Sequence, residues 1–447
     1  MPLPASLHDR VTLLERYVRI RTLSGAIDAA LVDDVRVFWR GLGIELAPLV
    51  SGQEGETPAL FAEIAGRRPG PVVLLYGHYD VQPTGDLTAW RWGARPLDPW
   101  EPVCFINETV VQADKLGEDD LRRAVMLGRG AADNKGQHLA NILGVLDAQA
   151  AGTLLGTVKI LLDGEEERGS PSLPAIADRH RDLLRADLLI GSDGPKQNNA
   201  PTIVLGCRGL LGVELRADNG RGQSLHSGNY GNIAPNPVLP LARLLAALPE
   251  RIDAVARRHG DFKRSVLAAF AEASGREAWE PFLDPTTNVN GIISEGVTPG
   301  RRRTIIPNWA LATVDIRLTP DTPIGEVAQA IEDARREEMA RSRDVSVTAR
   351  HNWGTPPSYT PPARPEFGGI VAATRSYWGT EPMIVPLLGG TLPAYVFTEM
   401  LGMPAYWLPA AQSNNRQHDV NEHLALDHFL RQPGWYAAVL AAVAALR

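Results

Sequence analysis

The chain has 447 residues, too long for one ordinary core, and its length fits about two to three domains. A net charge of −7 leaves no basic surplus to neutralise phosphates, which argues against a nucleic-acid binder. No apolar run approaches the ~20 residues that span a bilayer, and 44% hydrophobic with 22% charged residues is an ordinary globular composition. The stretch from Met1 to Arg10 has no basic segment followed by an apolar one, so no signal peptide is expected. Two cysteines, Cys104 and Cys207, are too few for a disulfide framework and fit a reducing cytoplasm.

Apolar spacing predicts amphipathic helices over residues 7–22 and 26–42. Residues 59–64 read as an edge strand. It leads through Pro69-Gly70-Pro71 into the apolar run 72–76, which reads as a buried parallel strand. Gly77-His78-Tyr79-Asp80-Val81-Gln82-Pro83 follows, with a His and an Asp two residues apart just past the strand end. Trp90, Trp92, Pro96, Pro99, Trp100 and Pro102 predict an irregular loop, because proline removes donors and fixes φ. The acidic stretch Gly117-Glu118-Asp119-Asp120 reads as a solvated excursion. A glycine-rich turn around Asp133 then opens a helix over 137–151. Strand 158–162 ends in Asp163-Gly164-Glu165-Glu166-Glu167, and strand 187–190 ends in Gly191-Ser192-Asp193. Acidic residues at the carboxyl ends of successive apolar strands predict an α/β fold. Its sheet would be mixed and mostly parallel, with helices on both faces and a site along one edge.

The texture changes near Arg208. Residues 210–216 alternate as a half-exposed strand. A helix over 237–248, a polar helical insertion over 252–274 and strands over 288–295 and 304–318 come next. A helix over 322–339, opened by Thr322-Pro323, and a strand over 345–350 complete the stretch. The order βαββαβ predicts a ferredoxin-like domain inserted into the first. The expected division is 1–207 with 353–447 for the sheet domain and 208–352 for the insert. Beyond it, residues 367–377 and the tail from Leu424 read as helices, and Ser413-Asn414-Asn415-Arg416-Gln417-His418-Asp419 as a polar loop.

The strand-end candidates are His78, Asp80, Asp133, Glu166, Glu167, Asp193 and His418. Each has an ordinary alternative: an acidic run is commonly a solvated face, and an Asp after Gly-Ser commonly a turn or cap residue. Together, two imidazoles with several carboxylates suit two metal ions sharing a bridging carboxylate such as Asp133. Such ions polarise a carbonyl and deprotonate a water between them. Adjacent Glu166 and Glu167 diverge, so one can face a metal and the other the water, as a proton carrier.

The segments Gly77 to Pro83, Gly128-Arg129-Gly130-Ala131-Ala132-Asp133-Asn134-Lys135-Gly136, Glu166-Glu167-Arg168-Gly169-Ser170, Ser192-Asp193 and His418-Asp419-Val420-Asn421-Glu422 closely resemble the M20 family of di-metal peptidases and amidohydrolases. The likeness is strongest to its dipeptidase branch, the carnosinase-like and cytosolic non-specific dipeptidases. The resemblance implies His78 and Asp193 on one ion, Glu167 and His418 on the other, and Asp133 as the bridge. It makes Glu166 the general base and Asp80 the residue that orients His78. It also implies a cis peptide between Asp133 and Asn134, where this chain has Asn134 in place of the commoner Asp. The inserted domain becomes a lid that makes a homodimer. There His226 would stabilise an oxyanion in the partner's site, and Arg317 with the Gly389-Gly390-Thr391-Leu392-Pro393 loop (Gly390 and Thr391 above all) would grip a substrate carboxylate. The implied cofactors are two divalent ions, zinc by default with manganese or cobalt as alternatives. The implied substrate is a dipeptide or short peptide with a free carboxylate, met in the cytoplasm. An N-acyl-amino-acid amidohydrolase on the same fold, and a catalytically inactive peptide-binding protein, are the alternative readings.

Overall fold

A computed structural model describes residues 4, 6–273, 275–295, 300, 303–342 and 344–446. Of the N-terminal stretch from Met1 to Arg10, residues 1–3 and 5 lie outside the described residues. The chain folds into two compact units, one of 1–206, 360–385 and 396–447, the other of 207–359 and 386–395.

The first unit is built on an eight-stranded sheet. Its strands are β1 (Ala47–Leu49), β2 (Ala59–Ala65), β3 (Val72–His78), β4 (Thr157–Asp163), β5 (Leu188–Gly191), β6 (Thr202–Val204), β7 (Met383–Val385) and β8 (Ala405–Trp407). Their spatial order is β1-β2-β4-β3-β5-β8-β6-β7. β3 runs parallel to both neighbours, β4 and β5, and β5 runs parallel to β8. Both faces of β3, β4 and β5 are covered, which is why these strands are unbroken apolar runs rather than alternating ones. β2 is not an edge strand: the short β1 pairs outside it, antiparallel. His78 closes β3, so the strand runs two residues past the apolar stretch and carries the imidazole to its carboxyl end.

The helix Lys135–Ala150 is buried along most of its length and packs against Leu426–Ala444. Two glycines make the close approaches. A Cβ on Gly144 would lie 2.4 Å from the Pro433 carbonyl oxygen, and one on Gly77 would lie 2.5 Å from the His138 Cβ. Larger residues there would push the helices apart or lift the helix off β3.

The segment after Trp90 is more ordered than its composition suggests. Val103–Ile106, Thr109–Val111 and Val125–Leu127 join His423–Ala425 in a four-stranded antiparallel sheet. Trp90, Phe105 and Leu127 form its core, and Trp92 stacks on Phe105 at 4.9 Å. The acidic stretch is the first turn of the helix Glu118–Arg123, whose last turn is basic. Both ends therefore complement the helix dipole.

The second unit holds a four-stranded antiparallel sheet in the order Thr286–Ser294, Trp309–Leu318, Gly209–Asp218, Ser346–Thr355. The helices Val238–His259 and Ile324–Arg341 complete the βαββαβ arrangement. Leu211, Val213, Leu215, Leu244, Ile316 and Ile331 are among the core residues between sheet and helices. Three sequence readings change here. The strand expected over 304–318 is broken into Ile305–Ile306 and Trp309–Leu318, and Pro307 between them has no N–H for a ladder. The polar insertion expected over 252–274 divides: its first residues continue Val238–His259, and the helix Phe262–Ala269 follows, with residue 274 outside the described residues. Ile324–Arg341 starts after Pro323, because the Thr322 hydroxyl donates back to the Thr319 carbonyl at 2.7 Å instead of capping. Among the described residues no helix is long and apolar enough to cross a membrane.

Candidate metal centre

Four chain segments of the first unit deliver titratable side chains to one place. β3 ends at His78, the glycine-rich turn before Lys135–Ala150 carries Asp133, β4 leads into the 3-10 turn Glu166–Arg168, and β5 leads to Asp193. A fifth, the 413–422 loop, brings His418 in a left-handed backbone conformation, φ 63°.

Asp133 lies at the middle. Its Oδ1 is 3.1 Å from His78 Nε2, and its Oδ2 is 3.0 Å from His418 Nε2. His78 Nε2 also lies 3.4 Å from Asp193 Oδ2, and His418 Nε2 lies 3.2 Å from Glu167 Oε2. Each imidazole Nε2 thus faces one oxygen of Asp133 and one further carboxylate. Donor atoms of His78, Asp133 and Glu167 lie within 4.8 Å of one another, as do those of His78, Glu166 and Asp193. The peptide between Asp133 and Asn134 is cis.

The surroundings fix this arrangement. Asp80, fully buried, has Oδ1 3.3 Å from His78 Nδ1, while its backbone carbonyl lies 3.0 Å from the same nitrogen. The Asp80 oxygens accept the Glu166 and Glu167 backbone N–H groups, both at 3.1 Å, and the Ser24 hydroxyl at 2.8 Å. One carboxylate therefore orients both the imidazole and the turn of the two glutamates. Gln82 Nε2 donates to Glu167 Oε2 at 2.9 Å. Asn134 spans two partners: its Nδ2 donates to the Ser192 carbonyl at 3.4 Å, and its Oδ1 lies 3.1 Å from His138 Nδ1. An aspartate could not make the first bond, which gives Asn134 a local reason. His138 is buried and structural, with Nε2 2.9 Å from the Tyr17 hydroxyl. His423 Nδ1 lies on the Asn421 carbonyl at 2.9 Å.

The electrostatics match a cation site. Burial, then the charges of Asp193, Glu167 and Asp133 against the opposing His78, push the Glu166 carboxyl well up. Burial and Asp133 raise Glu167 to about 7. Bonds to Asp133 and Glu167 raise His418 to about 11. Burial pulls His78 down, but Asp133, Asp193 and Asp80 outweigh it and hold the imidazole charged. Burial pushes Asp133 up, but the two imidazoles hold it well below the usual range. Glu167 Oε1 is buried with no partner, an acceptor without a donor. The nitrogen and oxygen donors suit Zn²⁺, Mn²⁺ or Co²⁺. The residues fit a two-ion site.

The second unit gathers other predicted residues. Arg317, on Trp309–Leu318, donates from Nη1 to Thr391 Oγ1 at 3.1 Å, and its Nε lies 3.6 Å from Asp315 Oδ2. Gly390 precedes Thr391 in a loop that Arg208 holds by a 3.1 Å bond from Nε to the Gly389 carbonyl. His226 is exposed on the strand Leu225–His226, which pairs with Ile305–Ile306.

Sequence reasoning missed the partners of these groups. Glu422 and Arg129 are both buried and joined at 2.8 Å, beneath the Asp133 turn. Arg129 stands in the same motif as Asp133 and Glu422 four residues after His418, so their positions were visible in the sequence while their pairing was not.

Residues 74–442 match the model of peptidase family M20/M25/M40, and the chain belongs to this family of metal-dependent peptidases. It is 26% identical over 427 residues to the Beta-Ala-His dipeptidase of Homo sapiens, covering 87% of this chain and 78% of that protein. It is 21% identical over 415 residues to the probable di- and tripeptidase DUG2 of Saccharomyces cerevisiae; this covers 84% of the chain but only 43% of that longer protein. The fold is similar to the M20 family metallo-carboxypeptidase Sso-CP2 of Sulfolobus solfataricus, with a TM-score of 0.76, 23% identity, and 98% and 99% of the two chains covered.

Proposed function

We propose that this chain hydrolyses the amide bond of dipeptides or short peptides bearing a free C-terminal carboxylate. The observation that carries the reading is Asp133 set between two imidazoles, one on each oxygen, with Glu167 beside it and Glu166 beside His78 and Asp193. Two divalent ions, zinc by default, would be held by His78 and Asp193 and by Glu167 and His418, with Asp133 shared. They would supply Lewis acidity and a water of lowered pKa.

The chain's own residues do the rest. Glu166 is beside the proposed ligands, and burial pushes its carboxyl up; it is the group placed to take the water's proton and return it to the leaving amine. Asp80 holds His78 and the Glu166–Glu167 turn in register. Arg317, with Gly390 and Thr391, grips the substrate carboxylate through a planar fork, and His226 stabilises the oxyanion. The names of the dipeptidase relatives support a short-peptide substrate. The proposed division is a catalytic part of 1–207 with 353–447 and a lid of 208–352. Through the lid, the active form is a cytoplasmic homodimer.

The test is a turnover panel of dipeptides and N-acyl amino acids, run after chelation and again with Zn²⁺, Mn²⁺ or Co²⁺ restored. Release of amino acids from dipeptides, lost on chelation and regained with metal, is expected. Release confined to N-acyl amino acids would move the function to an amidohydrolase. No turnover with any metal would leave a binding protein.

A further inference from the structure

Asp133 is held by residues that never face the ion positions. Glu422 is wholly buried, and its two oxygens take four donors. Oε1 accepts the backbone N–H groups of Ala132 and Asp133, both at 2.8 Å. Oε2 accepts Gly130 N–H at 3.0 Å and Arg129 Nη1 at 2.8 Å. The Glu422 backbone carbonyl accepts Gly128 N–H at 3.0 Å. One residue thus ties down the whole turn that presents Asp133.

Arg129 extends the grip. Its Nη2 donates at 3.0 Å to the Pro83 carbonyl, at the end of the segment carrying His78 and Asp80, and at 3.0 Å to the Asp419 carbonyl, next to His418. Its guanidinium lies over the Trp90 ring, 5.3 Å from the centroid. The segments bearing His78, Asp133 and His418 therefore meet at one buried ion pair.

Resting on the metal-site reading above, we infer that Arg129 and Glu422 are positioning residues that set the Asp133 bridge against both imidazoles, so that the two ion positions are tuned together. The chemistry leaves little choice of residue. Only a carboxylate offers acceptors to four donors from two atoms. Glutamine at 422 would turn an NH₂ group either toward two backbone N–H groups or toward Arg129 and Gly130 N–H, donor against donor in both orientations. The turn must then shift, and Asp133 with it. Lysine at 129 keeps the charge but presents one amine where a fork holds one carboxylate and two carbonyls.

The test is metal affinity, read by competition with a chromophoric chelator and by Co²⁺ absorption spectra, on wild type, Glu422→Gln and Arg129→Lys. Melting temperatures of the metal-free proteins are taken alongside. Affinity at both positions should fall roughly 10–100-fold in Glu422→Gln and less in Arg129→Lys, the scale of outer-shell substitutions. The Co²⁺ spectrum of each variant should change even where the metal-free protein melts as wild type does. Wild-type affinities and spectra in both variants would overturn the inference. So would failure of Glu422→Gln to fold in metal-saturated buffer, since the pair would then serve the fold and not the ligands. Failure of wild type itself to bind two ions would overturn the metal-site reading instead.

Discussion

Replacing Asp80 by asparagine changes one atom and tests the oxygens that join the imidazole to the glutamate turn. The carboxylate serves Glu166 N–H through Oδ1, and Glu167 N–H and the Ser24 hydroxyl through Oδ2. The amide nitrogen must replace one of them. At Oδ1 it would meet both Glu166 N–H and His78 Nδ1, 3.3 Å away. At Oδ2 it meets Ser24, whose hydroxyl can turn to accept, and only Glu167 N–H loses its acceptor. The second orientation is cheaper, so the damage falls on Glu167 more than on Glu166. A buried donor left unpaired costs about 1–3 kcal/mol, which corresponds to roughly 10–100-fold if spent on ligand placement. Asp80→Asn should lower kcat/KM by that factor and weaken the ion position that uses Glu167, while the other ion is retained. Steady-state kinetics on a dipeptide, with metal per chain measured by atomic spectroscopy after dialysis, check this. Wild-type kinetics and metal content, or loss of both ions, would refute the reasoning.

Glu166→Gln should reduce kcat by about 10²–10⁴-fold with metal content near normal; loss of an ion as well would make Glu166 a ligand. Arg317→Lys should raise KM for free-carboxylate substrates roughly 10–100-fold, from about 1.5–3 kcal/mol of charged hydrogen bonding, and leave amide-capped analogues unchanged; equal losses on both would sink the carboxylate grip. Lys196 gives a pH test away from the reaction. It is buried against the rings of Trp378 and Trp435, and burial, reinforced by Arg431, pushes its amine down to about 7 from 10.5. Between those values the folded chain binds fewer protons than the unfolded one, so stability rises with pH through that window and the charged amine costs most below it. Lys196→Met should therefore be more stable than wild type at pH 6.5, on the order of a few kcal/mol at about 1.4 kcal/mol per pH unit. The gap should close toward pH 10, read by urea midpoints; parallel pH profiles would rule it out.

Much of the fold could be read in the sequence, because periodicity reports burial. The unbroken run of β3 announced a doubly covered parallel strand, and the alternation of Gly209–Asp218 a one-sided one. Short elements fell below that signal. Thr109–Val111 and Val125–Leu127 are three residues each, and the latter pairs with His423–Ala425 from the far end of the chain, so composition alone suggested a loop. The candidate site divides in the same way. Polar side chains at strand ends are visible one by one, and His78, Asp133, Glu166, Glu167, Asp193 and His418 do meet. What holds them is not visible. The bonds of Asp80 to the Glu166 turn, and of Glu422 to the Asp133 turn, join residues far apart in sequence through backbone N–H groups that every residue carries.

The spread of the proposed ligands along the chain bears on when a cation can be captured. His78 and His418 lie in different sequence segments of the first unit, with residues 207–359 of the second unit between them, so a fragment that lacks either segment cannot bring both imidazoles to Asp133. A chain in synthesis therefore has carboxylates but no second imidazole until the 413–422 loop has been made. Ions that bind only the finished fold stabilise it by mass action, as RT ln(1 + [L]/Kd). Ions held at the proposed site would thus act on the lifetime of the folded chain rather than on the half-made site.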